Sequence, residues 1–364
     1  MVSVSDNRAW IARRGTILLP VMALAILAGT GPPTTTRSVH AEPLPVDRST
    51  IRALTESLGA RFATTHTDHF SIVSDVSPDR IVRMGDIIEP TYERVSRFIA
   101  ELGLPSHRPR HKMTVIFFHT WEGYEAYARG IGFVVTPAVP GVFDQRSNQC
   151  ILFNFGNSAL VRNKQNEMNA ALEAVQGSDG LSASDRGRLQ RRIETLQEQI
   201  AEYERLINAT VVRHEIAHQI LAGSGIQRQG PEGRRWLQEG LAMQFESDDA
   251  TNRYRREDLL STEAAGAPIG VRSLITDSKL LGPGGKRSQL AYATAWGLVD
   301  FLVKRHPRAF AAYLMSRGGR VARNGEGASD PETVAFEAAF GTLNESFESR
   351  FREYVRGLAA QSGE

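Results

Sequence analysis

Residues 208–223 have the sequence NATVVRHEIAHQILAG, which combines a helix pattern with two metal-binding side chains. Apolar residues recur every four positions in this stretch, at Val212, Ile216 and Ile220. That spacing predicts a helix with one apolar face that packs in the core. His214 and His218 are also four residues apart, so both imidazoles lie on one face and can bind the same metal ion. We expect this helix to begin near Asn208, a residue that favours the N-cap position.

The segment 236–242, WLQEGLA, supplies a carboxylate for the same site. Glu239 follows His218 by 21 residues and lies on a second predicted helix over about 233–246. Two imidazoles and one carboxylate leave one position on zinc open for water, which is typical of catalytic rather than structural sites. We therefore predict that His214, His218 and Glu239 bind Zn²⁺.

Other residues of the two predicted helices have candidate roles beside the metal. Glu215 lies about 100° around the helix from His214, where its carboxylate can accept a proton from water and return it to a leaving amine. Glu246 shares the helix face of Glu239, so it is either a hydrogen-bond acceptor for a ligand histidine or an ordinary surface carboxylate. Gly240 costs the second helix about 1 kcal/mol relative to alanine, and close packing against the first helix would explain its presence.

These two segments resemble the gluzincin metallopeptidases, in which H-E-x-x-H and a later glutamate bind zinc. The pattern W-L-x-E-G-x-A at 236–242 looks most like the peptidase MA-like and aminopeptidase branches. The resemblance is specific over about 207–246. It implies zinc-ligand roles for His214, His218 and Glu239 and a general-base role for Glu215. The chain has no G-x-M-E-N segment of the aminopeptidase type, so removal of free N-terminal residues is not expected.

The resemblance also implies two features outside the motif. Gluzincins often add a downstream tyrosine or histidine that donates to the oxyanion, and Tyr292, in the segment YATAWGLV, is the candidate here. The alternative is a tyrosine that packs with Trp296 on a core stripe. A hairpin predicted over 141–155 is the candidate edge of the sheet, where an extended peptide would add as a strand.

The first 41 residues predict an export signal. A positive flank contains Arg8, Arg13 and Arg14. The apolar run over 15–28 is too short to span a bilayer comfortably, and Val39-His40-Ala41 fits a cleavage site. We therefore expect a secreted or periplasmic protein with no stable membrane span after signal removal. The alternative is a protein anchored by an uncleaved N-terminal segment.

The composition excludes some functions. The chain has 364 residues, of which 41% are hydrophobic and 23% charged, with a formal net charge of +2. This near balance gives no basic stripe, so we expect no nucleic-acid partner. Cys150 is the single cysteine of the sequence and lies in an apolar run. It therefore cannot form an intramolecular disulfide, and we expect a buried, inert thiol.

The predicted fold class is α+β and zincin-like, with a small mixed sheet before the active-site helix. The predicted divisions are a signal peptide (1–41), a flexible leader (42–50), an N-terminal α/β part (51–159), a helical hairpin insertion (160–207), zinc-binding helices (208–250) and a mainly helical C-terminal subdomain (251–364). Within the last part, the sequence to Gly285 looks loop-like. A heptad seam predicts a long helix in the hairpin, with Leu189, Ile193, Leu196, Ile200, Tyr203 and Ile207 along it. We favour an insertion that packs on its own domain over one used for self-association.

Together these features predict an exported zinc metallopeptidase, most simply an endopeptidase, that cleaves a peptide or protein substrate with a metal-activated water. The alternative from another class is a catalytically silent zincin-fold scaffold of the cell envelope that acts through 160–207. Glu215 favours the enzyme, because a scaffold has no need of a general base. A zinc hydrolase of another amide stays open at this point.

Overall fold

The computed structural model describes residues 42–137, 139–178, 180–227, 234–247, 252–264, 269–282, 286–316 and 330–360. The strands in these residues are β1 (Ala63–His66), β2 (Phe70–Ser74), β3 (Met113–Phe118), β4 (Gly141–Asp144) and β5 (Gln149–Phe153). The α-helices are α1 (Arg48–Leu58), α2 (Pro78–Glu101), α3 (Trp121–Gly130), α4 (Ala159–Gln176), α5 (Ala183–Gly223), α6 (Arg235–Ala242), α7 (Arg253–Ala264), α8 (Val271–Thr276), α9 (Lys286–Arg305), α10 (Pro307–Met315), α11 (Pro331–Phe340) and α12 (Glu345–Ala360). The predicted signal peptide lies outside the described residues.

The strands form one mixed sheet in the order β1-β2-β3-β5-β4. The three central strands are parallel, since β3 pairs in parallel with β2 on one side and with β5 on the other. Both outer strands are antiparallel to their neighbours, and β4 pairs with β5 as the predicted hairpin. The prediction of an α+β fold with a small mixed sheet is therefore confirmed.

Helices cover both faces of the sheet, because alternate strand residues point to opposite sides. One face carries Ile72, Val115 and Leu152 and packs with the apolar residues of α2 and α5. The opposite face carries Val73 and Ile116 and packs with residues of α1 and α3. Every residue of β2 and β3 is buried as a result.

Helix α5 starts earlier than predicted. It runs for 41 residues from Ala183, so the prediction of a start near Asn208 is wrong. Ser182 caps the helix instead, since its hydroxyl accepts from the Asp185 N–H at 3.1 Å. No glycine or proline interrupts residues 188–222, so nothing stops the helix between the heptad seam and the metal motif. The Asn208 side chain accepts from the Phe155 N–H at 2.9 Å and ties α5 to the segment after β5.

The motif turn of α5 is fixed beneath the sheet. Ile216 and Ile220 are fully buried, as their spacing predicts. Gln219 is also fully buried, and its Nε2 donates to the carbonyl of Thr114 at 2.9 Å and to that of Asn148 at 2.7 Å. These contacts join the helix turn that carries His218 to β3 and to the residue before β5.

The fold begins before the predicted end of the leader. Leu44 is buried and its N–H donates to the Asp68 carbonyl at 2.9 Å. Helix α1 starts at Arg48, where Asp47 caps it by accepting from the Thr50 N–H. The prediction of a flexible leader over 42–50 is therefore wrong, because its aspartate is an N-cap rather than a loop residue.

The chain divides into two compact units, and the division lies within α4 and α5. Lys164–Gln199 belong to one unit, in which the Gln197 amide donates to the Asn169 side chain at 3.1 Å. Val175 and Ile193 are buried. The other unit contains the sheet, the motif turn of α5 and all the later helices. Self-association through 160–207 stays a prediction.

The segment after the motif is helical. Helices α7 and α8 occupy the stretch for which the sequence suggested a loop, so that expectation is wrong. The loop was predicted because this stretch is rich in polar residues. They lie on α7, a polar helix that packs into the core through the buried Leu259. Gly240 packs against α9 rather than the first helix, since an added β-carbon would lie 2.6 Å from Val299 Cγ2 and 2.7 Å from the Ala295 carbonyl oxygen. None of the described helices is long and apolar enough to cross a membrane.

Candidate metal centre

Three side chains from α5 and α6 converge on one point. Nε2 of His214 lies 3.1 Å from Nε2 of His218 and 3.2 Å from Oε2 of Glu239. The His218 Nε2 to Glu239 Oε2 distance is 3.8 Å. Tetrahedral zinc with bonds of about 2.0–2.1 Å places its ligand atoms about 3.3–3.4 Å apart. The observed triangle therefore has the size that one tetrahedral ion requires.

Each ligand imidazole has a polar partner at its Nδ1 atom, which leaves Nε2 for the metal position. Nδ1 of His214 donates to Oε1 of Glu246 at 2.9 Å. Nδ1 of His218 lies 3.3 Å from both Oε1 and Nε2 of Gln227, and this Nε2 lies 3.3 Å from the Gln238 carbonyl. With Nδ1 as the donor in each ring, both Nε2 lone pairs face the gap between the three side chains, where they can bind a cation. The donor set therefore fits a metal ion.

A buried ion pair supports His214 from behind. Both carboxylate oxygens of Glu246 accept from Arg255, at 2.6 and 2.8 Å. Burial raises the pKa of Glu246, but Arg255 and His214 outweigh it and lower the pKa to about 2. The prediction that Glu246 accepts from a ligand histidine is confirmed by this contact, and the surface alternative is wrong because its side chain is only 5% exposed.

The carboxylates of Glu239 and Glu246 favour the protonated form of His214 when no metal is bound. Burial lowers its pKa, but hydrogen bonds to Glu239 and Glu246 raise the pKa well above its usual value. Burial also raises the pKa of Glu239, and both imidazoles reverse this and hold the pKa far below its ordinary range. A positive charge at the centre is therefore strongly stabilised.

Glu215 lies beside the three ligands, between α5 and the edge strand β4. A β-carbon on Gly141 would lie 3.1 Å from Cγ of Glu215 and 2.8 Å from Val211 Cγ1, so only glycine allows β4 to approach the helix this closely. Burial raises the pKa of Glu215, and the charges of His214 and His218 oppose that shift. A carboxylate with a raised pKa is a better proton acceptor than one in water.

The edge strand also contacts a ligand histidine. The ring of Phe143 in β4 is parallel to that of His218, with 6.3 Å between centroids. Cys150 in β5 is fully buried, and its Sγ donates to the Glu215 carbonyl at 3.1 Å. Burial raises the pKa of Cys150 well above its usual value. The prediction of a buried thiol is confirmed, and its inertness stays a prediction.

Tyr292 lies near the centre, on α9. Burial, the charge of Glu239 and other neighbours raise its pKa to about 12. Its hydroxyl donates to the Leu281 carbonyl at 3.0 Å and its oxygen accepts from Arg235. The hydrogen needed for an oxyanion is thus committed to Leu281 in this arrangement, and the role of Tyr292 as donor stays a prediction.

Three polar residues of the centre were missed by sequence reasoning. They are Gln227, Arg235 and Arg255, which contact His218, Glu239 and Glu246 respectively. Only Arg235 carries a local signal, since it lies four residues before Glu239 on one helix face. The other two reach the centre from segments whose sequence has no metal-binding pattern.

The comparisons with known proteins give a family without an assigned activity. Residues 208–321 match a family described as a protein of unknown function, DUF1570. The match covers the C-terminal part of α5 with His214 and His218, all of α6 and α9, and less than half of the chain. No curated protein matches the sequence.

Proposed function

We propose that this protein is an exported zinc-dependent metallopeptidase, with a zincin-like arrangement of helix, edge strand and ligands. The observation that carries the proposal is the convergence of two imidazole nitrogens and one carboxylate oxygen at tetrahedral spacing, with a second carboxylate beside them. The ligand type supports zinc, because nitrogen and carboxylate donors at three vertices are typical of catalytic zinc. The side chains of the ligands are 11–16% exposed, so the centre is largely buried but still accessible from solvent.

The chain's own residues would divide the work of hydrolysis. His214, His218 and Glu239 would hold the ion, and zinc when bound lowers the pKa of water to about 7 and polarises a carbonyl. Glu215 would take the proton from the attacking water and deliver it to the leaving amine. Its buried position and raised pKa suit a group that must carry the proton between two steps.

The edge strand would position the substrate. Among the described residues β4 pairs with β5 alone, so its outer edge offers backbone donors and acceptors beside Glu215. An extended peptide that adds to this edge would bring its scissile carbonyl to the metal centre. Tyr292 would then donate to the oxyanion after its hydroxyl leaves the Leu281 carbonyl.

The decisive comparison is between the wild-type chain and Glu215→Gln, both loaded with zinc. Wild type should cleave members of a broad peptide mixture, identified by mass spectrometry of the fragments, whereas the variant should keep its zinc and lose turnover. Zinc binding with no cleavage by either protein would instead support a scaffold with a retained metal site. Absence of zinc from the wild-type protein would contradict both functions.

A further inference from the structure

An arginine at the rim of the metal centre has no role in the proposed chemistry. Arg235 is the first residue of α6, and its Nε lies 3.6 Å from Oε1 of Glu239. The imidazoles face the other oxygen, Oε2. The Arg235 side chain is 44% exposed, in contrast to the buried ligands. Its side chain therefore reaches solvent beside the Oε1 oxygen of Glu239.

Most of the hydrogen-bonding capacity of this guanidinium is not used by the residues that the structure describes. Within the described residues, Arg235 has an ion pair with Glu239 and a hydrogen bond to the Tyr292 oxygen. A guanidinium carries five N–H donors in a planar fork. These two contacts leave at least two of the five donors without a partner among the described residues, enough for both oxygens of a carboxylate.

The charges around the centre also favour an anion. Glu246 is neutralised by Arg255. With a divalent cation bound, the charges of Glu215 and Glu239 are balanced by the ion. Arg235 then adds a positive charge on the solvent-exposed side of Glu239, which attracts an anionic group.

We propose that Arg235 is a specificity-determining residue that selects peptides with a carboxylate next to the scissile bond. This inference rests on the proposed peptidase function and names its substrate class. The carboxylate comes from either a free C-terminus or an acidic side chain. Arginine is the suitable residue, because its fork binds both oxygens at once, which lysine cannot do.

The competing explanation is that Arg235 only holds Glu239 in place. A partly exposed ion pair four residues apart on a helix contributes little to stability. A positioning role would weaken zinc binding and would affect neutral and anionic substrates equally. A recognition role would leave zinc bound and would remove the difference between the two kinds of substrate.

Calorimetry on the zinc-loaded, full-length Glu215→Gln protein separates these roles without turnover. The probes are acetyl-trialanine with a free C-terminus, its C-terminal amide, and two acetylated tripeptide amides with either Asp or Asn in the middle. The same titrations use the double variants that add Arg235→Gln, Arg235→Lys or Arg129→Gln. Arg129 is the matched control, since it is exposed and pairs with Glu125 four residues away on α3.

We expect one carboxylate probe to bind about 10-fold or more tightly than its neutral partner. Arg235→Gln should abolish that preference at unchanged zinc content, Arg235→Lys should retain part of it, and Arg129→Gln should retain all of it. Equal affinity for acid and neutral probes, or no detectable binding of either, would overturn the inference. A preference that survives Arg235→Gln would assign the carboxylate to the zinc, and loss of zinc from Arg235→Gln would assign Arg235 to positioning. Absence of zinc from the parent protein would refute the proposed function itself.

Discussion

Glu246→Gln probes how much of the metal affinity depends on the residues behind the ligands. The Glu246 carboxylate accepts from Nδ1 of His214 at 2.9 Å and binds Arg255 through both oxygens. Glutamine preserves the size of the side chain and one acceptor oxygen, but it removes the charge. His214 then loses the carboxylate at its Nδ1, and the Arg255 guanidinium, 15% exposed, loses the carboxylate that it binds through both oxygens and retains Asp258 at 4.0 Å.

The magnitude has two parts. Removing one member of a buried ion pair costs about 3–5 kcal/mol of folding free energy. Glu246→Gln should lie near the lower value, because the glutamine amide oxygen can still accept a hydrogen bond. Loss of the carboxylate that orients a ligand histidine typically weakens metal binding by about 10- to 100-fold. Both effects should appear in Glu246→Gln, the first in the metal-free protein and the second in the zinc titration.

The assay pairs a zinc competition titration against a chromophoric chelator with urea denaturation of the metal-free protein. Glu89→Gln is the matched control, because Glu89 also accepts from a histidine Nδ1, that of His69, at 2.6 Å and lies on α2. It should lose stability without a change in zinc affinity. The reasoning is refuted if Glu246→Gln binds zinc within about twofold of wild type, or if Glu89→Gln weakens zinc binding equally.

The remaining predictions address packing, the oxyanion donor, the 164–199 unit and pH. Gly240→Ala should destabilise the protein by about 1–3 kcal/mol in urea denaturation, because its β-carbon would overlap α9; wild-type stability would contradict this packing. Tyr292→Phe should lower kcat about 100-fold at unchanged zinc content, and unaltered turnover would remove the donor role. Replacing 164–199 with a short linker should preserve stoichiometric zinc, whereas metal loss would show that this unit is integral to the centre. Burial raises the pKa of Glu89, but hydrogen bonds from His69 and its neighbours lower it overall. Its stabilisation is therefore complete above the unfolded pKa of about 4.3 and is lost as pH falls through the lower folded value. Denaturation between about pH 6 and 3 should show wild type converging on Glu89→Gln at the acid end, and a constant difference would disprove the assignment.

Local patterns were sufficient for much of the fold. The spacing of Ile216 and Ile220 predicted the buried face of the motif helix. The four-residue spacing of His214 and His218 predicted their common face. Each of these features depends on residues within one or two turns of each other, where periodicity reports directly on packing.

The failures arise where a distant segment overrides a local preference. Asn208 favours an N-cap, yet its side chain finds a partner in the Phe155 N–H, and the helix continues past it. Gly240 predicted a close contact but not its partner, because Ala295 and Val299 of α9 lie 55 and 59 positions away in the sequence. Arg255 reaches Glu246 across a segment with no metal-binding pattern. Such contacts are decided by tertiary packing, which periodicity does not encode.

The metal content of the purified full-length protein tests the central claim most directly. Elemental analysis after dialysis should give about one zinc per chain in wild type and in Glu215→Gln. The Glu239→Ala variant should be depleted, because its third ligand is missing. A wild-type protein without zinc, or a Glu239→Ala variant with the full wild-type amount, would contradict the account.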